Sequence, residues 1–142
     1  MPRVPLIEEL TAGQIPAGSN LLIEFTGASQ WYNASVTIAA GWLKQGGKVD
    51  YNAYAQPPND IRTGLKRLGS IAEENERDNN LRIWDYYTAT LGQKSTEKLA
   101  RDSLKVADLS ILFSKDLMRE PPQPDWLRIR DNLSTLARFN EE

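Results

Sequence analysis

The sequence predicts one α/β domain over residues 1–142, a three-layer αβα arrangement around a mainly parallel sheet of about four strands. Three observations predict it. Short β-favouring apolar runs alternate with stretches of helical periodicity, the pattern of successive βα units. The units are punctuated by Gly46-Gly47, Gly69 and the Pro-rich stretch 120–124, residues that end helices and turn the chain. The composition, 40% hydrophobic and 25% charged in 142 residues, suits a single globular core, and there is no internal repeat or linker to divide it.

Taken in order, residues 20–26 (NLLIEFT) are apolar and β-favouring behind Gly18-Ser19, which predicts a buried first strand. Val36, Ala39, Ala40 and Leu43 recur at helical spacing and predict a helix over 34–45, stopped by Gly46-Gly47. Val49, Tyr51 and Ala53 alternate with polar neighbours over 48–54, as in a strand with one inward face. Gln56-Pro57-Pro58-Asn59 breaks the chain, and Asp60 is expected to cap a short helix over 61–68. The polar run 73–80 reads as a loop or frayed turn. Residues 81–87 read as a third strand, and 88–97 as a longer connection around Gly92. Val106, Leu109, Leu112, Phe113 and Leu117 make one stripe, expected to be core, on a helix over 103–119. Residues 126–131 form the expected fourth strand, and a terminal helix runs from about 134 to 139.

Composition also narrows the chemistry. Lys plus Arg total 17 against 19 Asp plus Glu, a net charge of −2, so no global positive field draws in nucleic acid or anionic lipid. The absence of Cys and His excludes disulfides, thiolate nucleophiles, Ser-His-Asp arrangements and His- or Cys-ligated metals. A catalyst would rest on carboxylates, Lys, Tyr or a metal on oxygen ligands. The acidic start of the chain does not resemble a secretory signal, and the longest mostly apolar window, 34–43, is far short of the roughly 20 residues that span a bilayer. A cytoplasmic location without membrane contact is the expectation.

Two segments match the glycine spacing of a phosphate-binding loop, Gly13 to Gly18 and Gly41 to Gly46. The first precedes its strand, the second lies at a helix end, and neither is followed by Lys-Ser/Thr. No dinucleotide fingerprint is present. Arg62, Lys66 and Arg67 read as a solvated helix face in preference to a nucleic-acid contact. Trp31-Tyr32 and Tyr86-Tyr87 read as core or rim aromatics in preference to base-stacking platforms, and the acidic run Glu73 to Asp78 as a flexible loop in preference to a chelate.

The ordered set of motifs nevertheless resembles a known family. Ile15-Pro16-x-Gly18-Ser19 leading into the apolar run 20–24 is similar to the entry of the RecA-superfamily ATPases, the archaeal KaiC-like proteins in particular. Leu43 to Val49, Asp60 to Gly69, Leu81 to Asp85, Asp108 to Ile111 and Ile129 to Leu136 resemble the successive helix ends, strands and Walker B region of that family, across nearly the whole chain. The resemblance implies a P-loop at Gly27, Ala28, Ser29, Gln30, Trp31 and Tyr32. On this register Trp31 stands at the Walker A lysine, Tyr32 at the magnesium-binding hydroxyl, and Phe25, Ala28 and Gln30 at loop glycines. Ala55 to Asn59 replaces the family's acidic pair, and only Asp131 keeps a Walker B carboxylate. Apart from the resemblance, Asp131 reads as a helix N-cap or turn residue in preference to a metal ligand.

The expectation is therefore a pseudo-ATPase with no catalytic residue, cofactor or metal, acting as a protein-interaction or regulatory module. One alternative is a residual ATP·Mg²⁺ binder that uses Asp131 and aromatic stacking in a composite site. A nucleic-acid accessory role is another, disfavoured by the net charge. The family also has further strands, one of them between the P-loop strand and the Walker B strand. The resemblance thus implies a sheet with a gap, closed by its neighbours or by another chain, and a homo-oligomer or protein partner.

Overall fold

The structure, a computed structural model, describes residues 7–8, 15–26, 31–119, 123 and 125–141, and of Trp31, Leu117 and Arg119 the backbone alone. Its elements run α1 (Trp31–Lys44), β1 (Lys48–Ala53), α2 (Pro58–Arg67), α3 (Ala72–Arg77), β2 (Leu81–Asp85), α4 (Tyr87–Thr90), α5 (Val106–Arg119), β3 (Trp126–Arg130) and α6 (Leu133–Phe139). The three strands form an open parallel sheet in the order β2-β1-β3. This is an α/β fold, as the alternating pattern predicted.

The inner face of β1 explains why the chain folds here. Val49, Tyr51 and Ala53 are fully buried and meet Leu81 and Ile83 of β2, Ile129 of β3, Val36, Ala39, Ala40 and Leu43 of α1, and Ile61 and Leu65 of α2. α1 is stopped as the sequence predicted. Gly46 adopts φ +84°, which disfavours a side chain, and a Cβ on Gly47 would run into the Trp42 indole. That indole donates to the Asp125 carbonyl at 3.0 Å and so ties the end of α1 to the entry of β3.

The other face of β1 is polar. Asp50 and Asn52 point away from the main core, and a smaller cluster of Tyr54, Tyr86, Leu104 and Leu109 packs separately from it.

Several expectations are corrected. Among the described residues the sheet has three strands and not about four, because residues 20–26 form no strand. They are exposed throughout, Leu22 at 77%. An apolar β-favouring run becomes a strand only where it finds a ladder partner, and residues 20–26 pair neither with β1, which is flanked by β2 and β3, nor with the outer side of β3.

The polar run 73–80 is mostly helical. α3 is anchored by the buried Ala72, with Glu73 and Glu74 in its first turn and Arg77 in its last, charges that suit the helix dipole. The cap of α2 is Pro57, with Pro58 at the first helical position and Asp60 inside the first turn. The third strand ends at Asp85, whose carboxylate accepts from the Thr88 amide at 2.9 Å and so starts α4 in place of a plain connection. On α5 only Leu109 of the described stripe is fully buried. Leu112 and Phe113 are half-buried, and Val106 is 51% exposed.

Candidate functional site

In an open α/β sheet a ligand site is expected in the crevice outside the carboxyl ends of the strands. Here that region is built from the ends of β1 and β3 and the first turns of α1. Asp131 lies one residue beyond β3 and is 3% exposed. Its Oδ1 accepts from the backbone amides of Tyr54 at 2.8 Å and Ala55 at 3.3 Å, and Oδ2 approaches Ala55 N at 3.4 Å. The carboxylate thus ties the exits of β1 and β3 together. Burial pushes its pKa up to about 6, against the lowering effect of the Tyr54 and Ala55 amides. The N-cap of α6 is its neighbour Asn132, whose side chain accepts from the Ser134 amide at 3.1 Å.

Tyr32 is half-buried, in the first turn of α1, and its hydroxyl is buried with no hydrogen-bond partner among the described residues. Its pKa is raised, first by burial and then by the Asp60 and Asp131 carboxylates, so the phenol stays neutral. The structure therefore brings Tyr32 within electrostatic reach of Asp131. Trp31 opens α1, and its side chain lies outside the described residues, as do Gly27, Ala28, Ser29 and Gln30.

Two residues complete the region that sequence reasoning left unassigned. Ser35 Oγ donates to the Tyr32 carbonyl at 2.9 Å and lies 2.9 Å from the Tyr51 hydroxyl. Tyr51 is fully buried, and its burial pushes the phenol well above its usual range. A signal for this pair was available. The alternation of β1 put a phenol on an inner face, where its hydroxyl needs a partner. Chemically, the region offers a neutral phenol, a hydroxyl pair and a carboxylate whose oxygens already accept amide hydrogens. Asp131 is the one residue here with an acid-range group that burial shifts toward neutrality.

Other singled-out residues sit elsewhere. Arg62 does not join a basic face. Its guanidinium bridges Glu76 and Glu97, with contacts of 2.9 and 2.7 Å, while Lys66 and Arg67 are exposed. Tyr86 is buried and stacks on Tyr54 with ring centroids 4.3 Å apart, so it offers no open face to a base; Tyr87 is half-buried. Of the acidic run, Glu76 is engaged by Arg62, and among the described residues no group of three acidic side chains is placed to hold a metal ion. No described helix is long and apolar enough to cross a membrane. The chain matches no protein-family model and no curated protein.

Proposed function

We propose that this chain is a catalytically inactive, three-layer domain of the RecA/KaiC-like kind that works as a protein-interaction module, and that a second copy of the chain is its partner. One observation carries the reading: residues 21–23 expose apolar side chains outside any helix or strand, and among the described residues the outer side of β3 pairs with no strand. Leu21, Leu22 and Ile23 belong to no helix or strand and are 52, 77 and 37% exposed. Among the described residues β3 is paired with β1 alone, whereas the outer side of β2 is partly covered by a bridge from Asp85 to Ala100. Exposed apolar β-segments and open edges associate readily. Residues 20–26 are long enough to line the five residues of β3, and reciprocal exchange between two copies closes on twofold symmetry. In the family that the sequence resembles, a further strand lies between the P-loop strand and the Walker B strand. A segment donated by a partner fills the equivalent position beside β3.

Loss of catalysis is supported by the residues at the carboxyl ends of the strands. On the register of the resemblance, Tyr32 puts a bulky ring at the magnesium-binding position and Trp31 stands at the lysine. Both oxygens of Asp131 face backbone amides, and 55–59 lacks a carboxylate. Mg²⁺ usually leans on substrate phosphates and on carboxylates that are open to it.

The test is the mass of the full chain by light scattering at micromolar concentration. Two chains per particle are expected, falling to one in Leu22→Asp. A single-chain mass for the unaltered protein overturns the homodimer. Melting with and without millimolar ATP·Mg²⁺ tests the inactive reading separately. No change is expected, and a rise of several degrees favours a residual nucleotide binder instead.

A further inference from the structure

Arg128 and Arg130 of β3 carry the same group on the same face of the sheet, and β1 serves only one of them. Strand register sets Asp50 opposite Arg128 and Asn52 opposite Arg130. Asp50 Oδ2 accepts from Arg128 at 2.9–3.0 Å. Asn52 has no charge to offer, and its side-chain amide donates to Asp50 Oδ1 at 3.0 Å. Arg130 is left with the Phe113 ring, 5.5 Å from its guanidinium, and no described acidic side chain pairs with it. It is exposed, on the strand whose outer side is open among the described residues.

The backbone of β3 points the same way. The Asp131 amide donates inward to the Asn52 carbonyl at 3.4 Å. Backbone groups alternate in direction along a strand, so those of Arg128 and Arg130 face the side that no described strand occupies. Such an edge is a template for a further strand.

Residues 20–26 contain one acid, Glu24, which is exposed and has no described cation beside it. Laid parallel to β3 with Glu24 opposite Arg130, the segment sets Ile23 opposite Ile129 and Leu21 opposite Leu127, the two β3 residues that pack on the main core. Run antiparallel, the same charge pair sets Ile23 opposite the buried carboxylate of Asp131. In either direction, a shift that brings Glu24 to Arg128 meets a guanidinium whose acid is already in place. One direction and one register thus satisfy the charge and the apolar alternation together.

We infer that, in the pairing of two copies proposed above, the donated strand runs parallel to β3 and is held in register by Glu24 of one copy against Arg130 of the other, a pair that twofold symmetry forms twice. This pairing rests on that homodimer reading and adds what selects the partner: charge placed at one position of an otherwise apolar strand.

The experiment is the dimer dissociation constant of the full chain by sedimentation equilibrium. Glu24→Arg and Arg130→Glu are each expected to raise it at least about tenfold, since each sets like charges opposite one another at two places. An equimolar mixture of the two variants is expected to return to within about threefold of the parent constant, because the heterodimer restores both pairs with the charges exchanged. A segment folded back on its own chain's β3 gains nothing from mixing. An unchanged constant in either folded reversal, or a mixture as weak as its components, overturns the inference. The homodimer reading is judged apart from it: that reading stands if Leu22→Asp dissociates the dimer while the reversals do not, and it falls, with this inference, if the unaltered chain is single. Should Arg130→Glu not fold, Glu24→Gln, Arg130→Gln and their double variant decide. A double variant no weaker than either single is expected, and one weakened by the full sum of the two overturns the pair.

Discussion

Asp131 illustrates how one buried side chain ties stability to pH. Its folded pKa is raised from 3.8 to about 6, chiefly by burial. Between those values the folded chain holds a proton that the unfolded chain has released, so stability falls as pH rises through the window. The stabilisation is fully present below about pH 4 and lost above about pH 6, and the difference amounts to roughly 3 kcal/mol. Asp131→Asn keeps an acceptor for the Tyr54 amide and removes the titration. Its melting temperature is expected to match the parent near pH 4 and to exceed it at pH 7.5, with the parent's slope between the two abolished. Asp131→Ala leaves the Tyr54 and Ala55 amides without their acceptor and is expected to cost about 1–3 kcal/mol at pH 4, where no charge relief offsets the loss. Equal pH slopes in parent and Asn variant rule out this account. Gly47 gives a second test at this scale. Its missing side chain lets the Trp42 indole pass, so Gly47→Ala is expected to lose about 1–3 kcal/mol in denaturant unfolding and to disturb the Trp42–Asp125 hydrogen bond.

At the level of elements, Arg62 joins three pieces of chain: α2, which carries it, α3 through Glu76, and the connection after α4 through Glu97. Glu97 and Glu76 hold the guanidinium charged, pushing its already high pKa further up. The three side chains keep 19–27% exposure, so water discounts the network. Arg62→Met is expected to cost about 1–2 kcal/mol, with Arg62→Lys recovering only part of it for want of the planar fork. Hydrogen exchange checks the location: amides of α3 should exchange faster in Arg62→Met while those of β1 stay as they were. The same contacts show why α3 was not legible in the sequence. Residues 73–80 carry no apolar stripe, and their helix is held by Ala72 and by ion pairs reaching 14 residues back to Arg62. The run at 20–26 misleads in the opposite sense. Its local chemistry is that of a strand, but strand formation needs a neighbour that composition cannot reveal. The β1 alternation, by contrast, correctly gave the inner face, and with it Tyr51.

For the molecule as a whole, the alternation of strand and helix was legible because each βα unit is encoded locally, whereas the depth of each layer was not. α1 buries an apolar face against β1, and α2 adds Ile61 and Leu65 to the same core, packed beside α1 and β2. α5 offers mainly Leu109, with Val106, Ile111 and Met118 at 51, 59 and 87% exposure. The apolar stripe on α5 is therefore a poor guide to its packing. What decides burial is the surface it meets, and the outward sheet face is polar at Asp50, Asn52, Arg82 and Arg128. Opening α5 exposes little apolar area, so the free energy of that local opening lies well below that of global unfolding. β1, with all but one of its six residues buried and a strand on each side, opens only when the domain does. Native-state hydrogen exchange should therefore resolve two classes of amide. Those of β1 should follow global unfolding in denaturant, and those of α5 should exchange orders of magnitude faster with little denaturant dependence. Leu109→Ala should widen the gap by accelerating α5 alone, because it removes the fully buried anchor among the helix's described side chains without touching the main core. Exchange of α5 and β1 at one common rate, responding together to denaturant, means that the two faces of the sheet unfold as one unit and that the polar face binds its helix far more tightly than its apolar contacts account for.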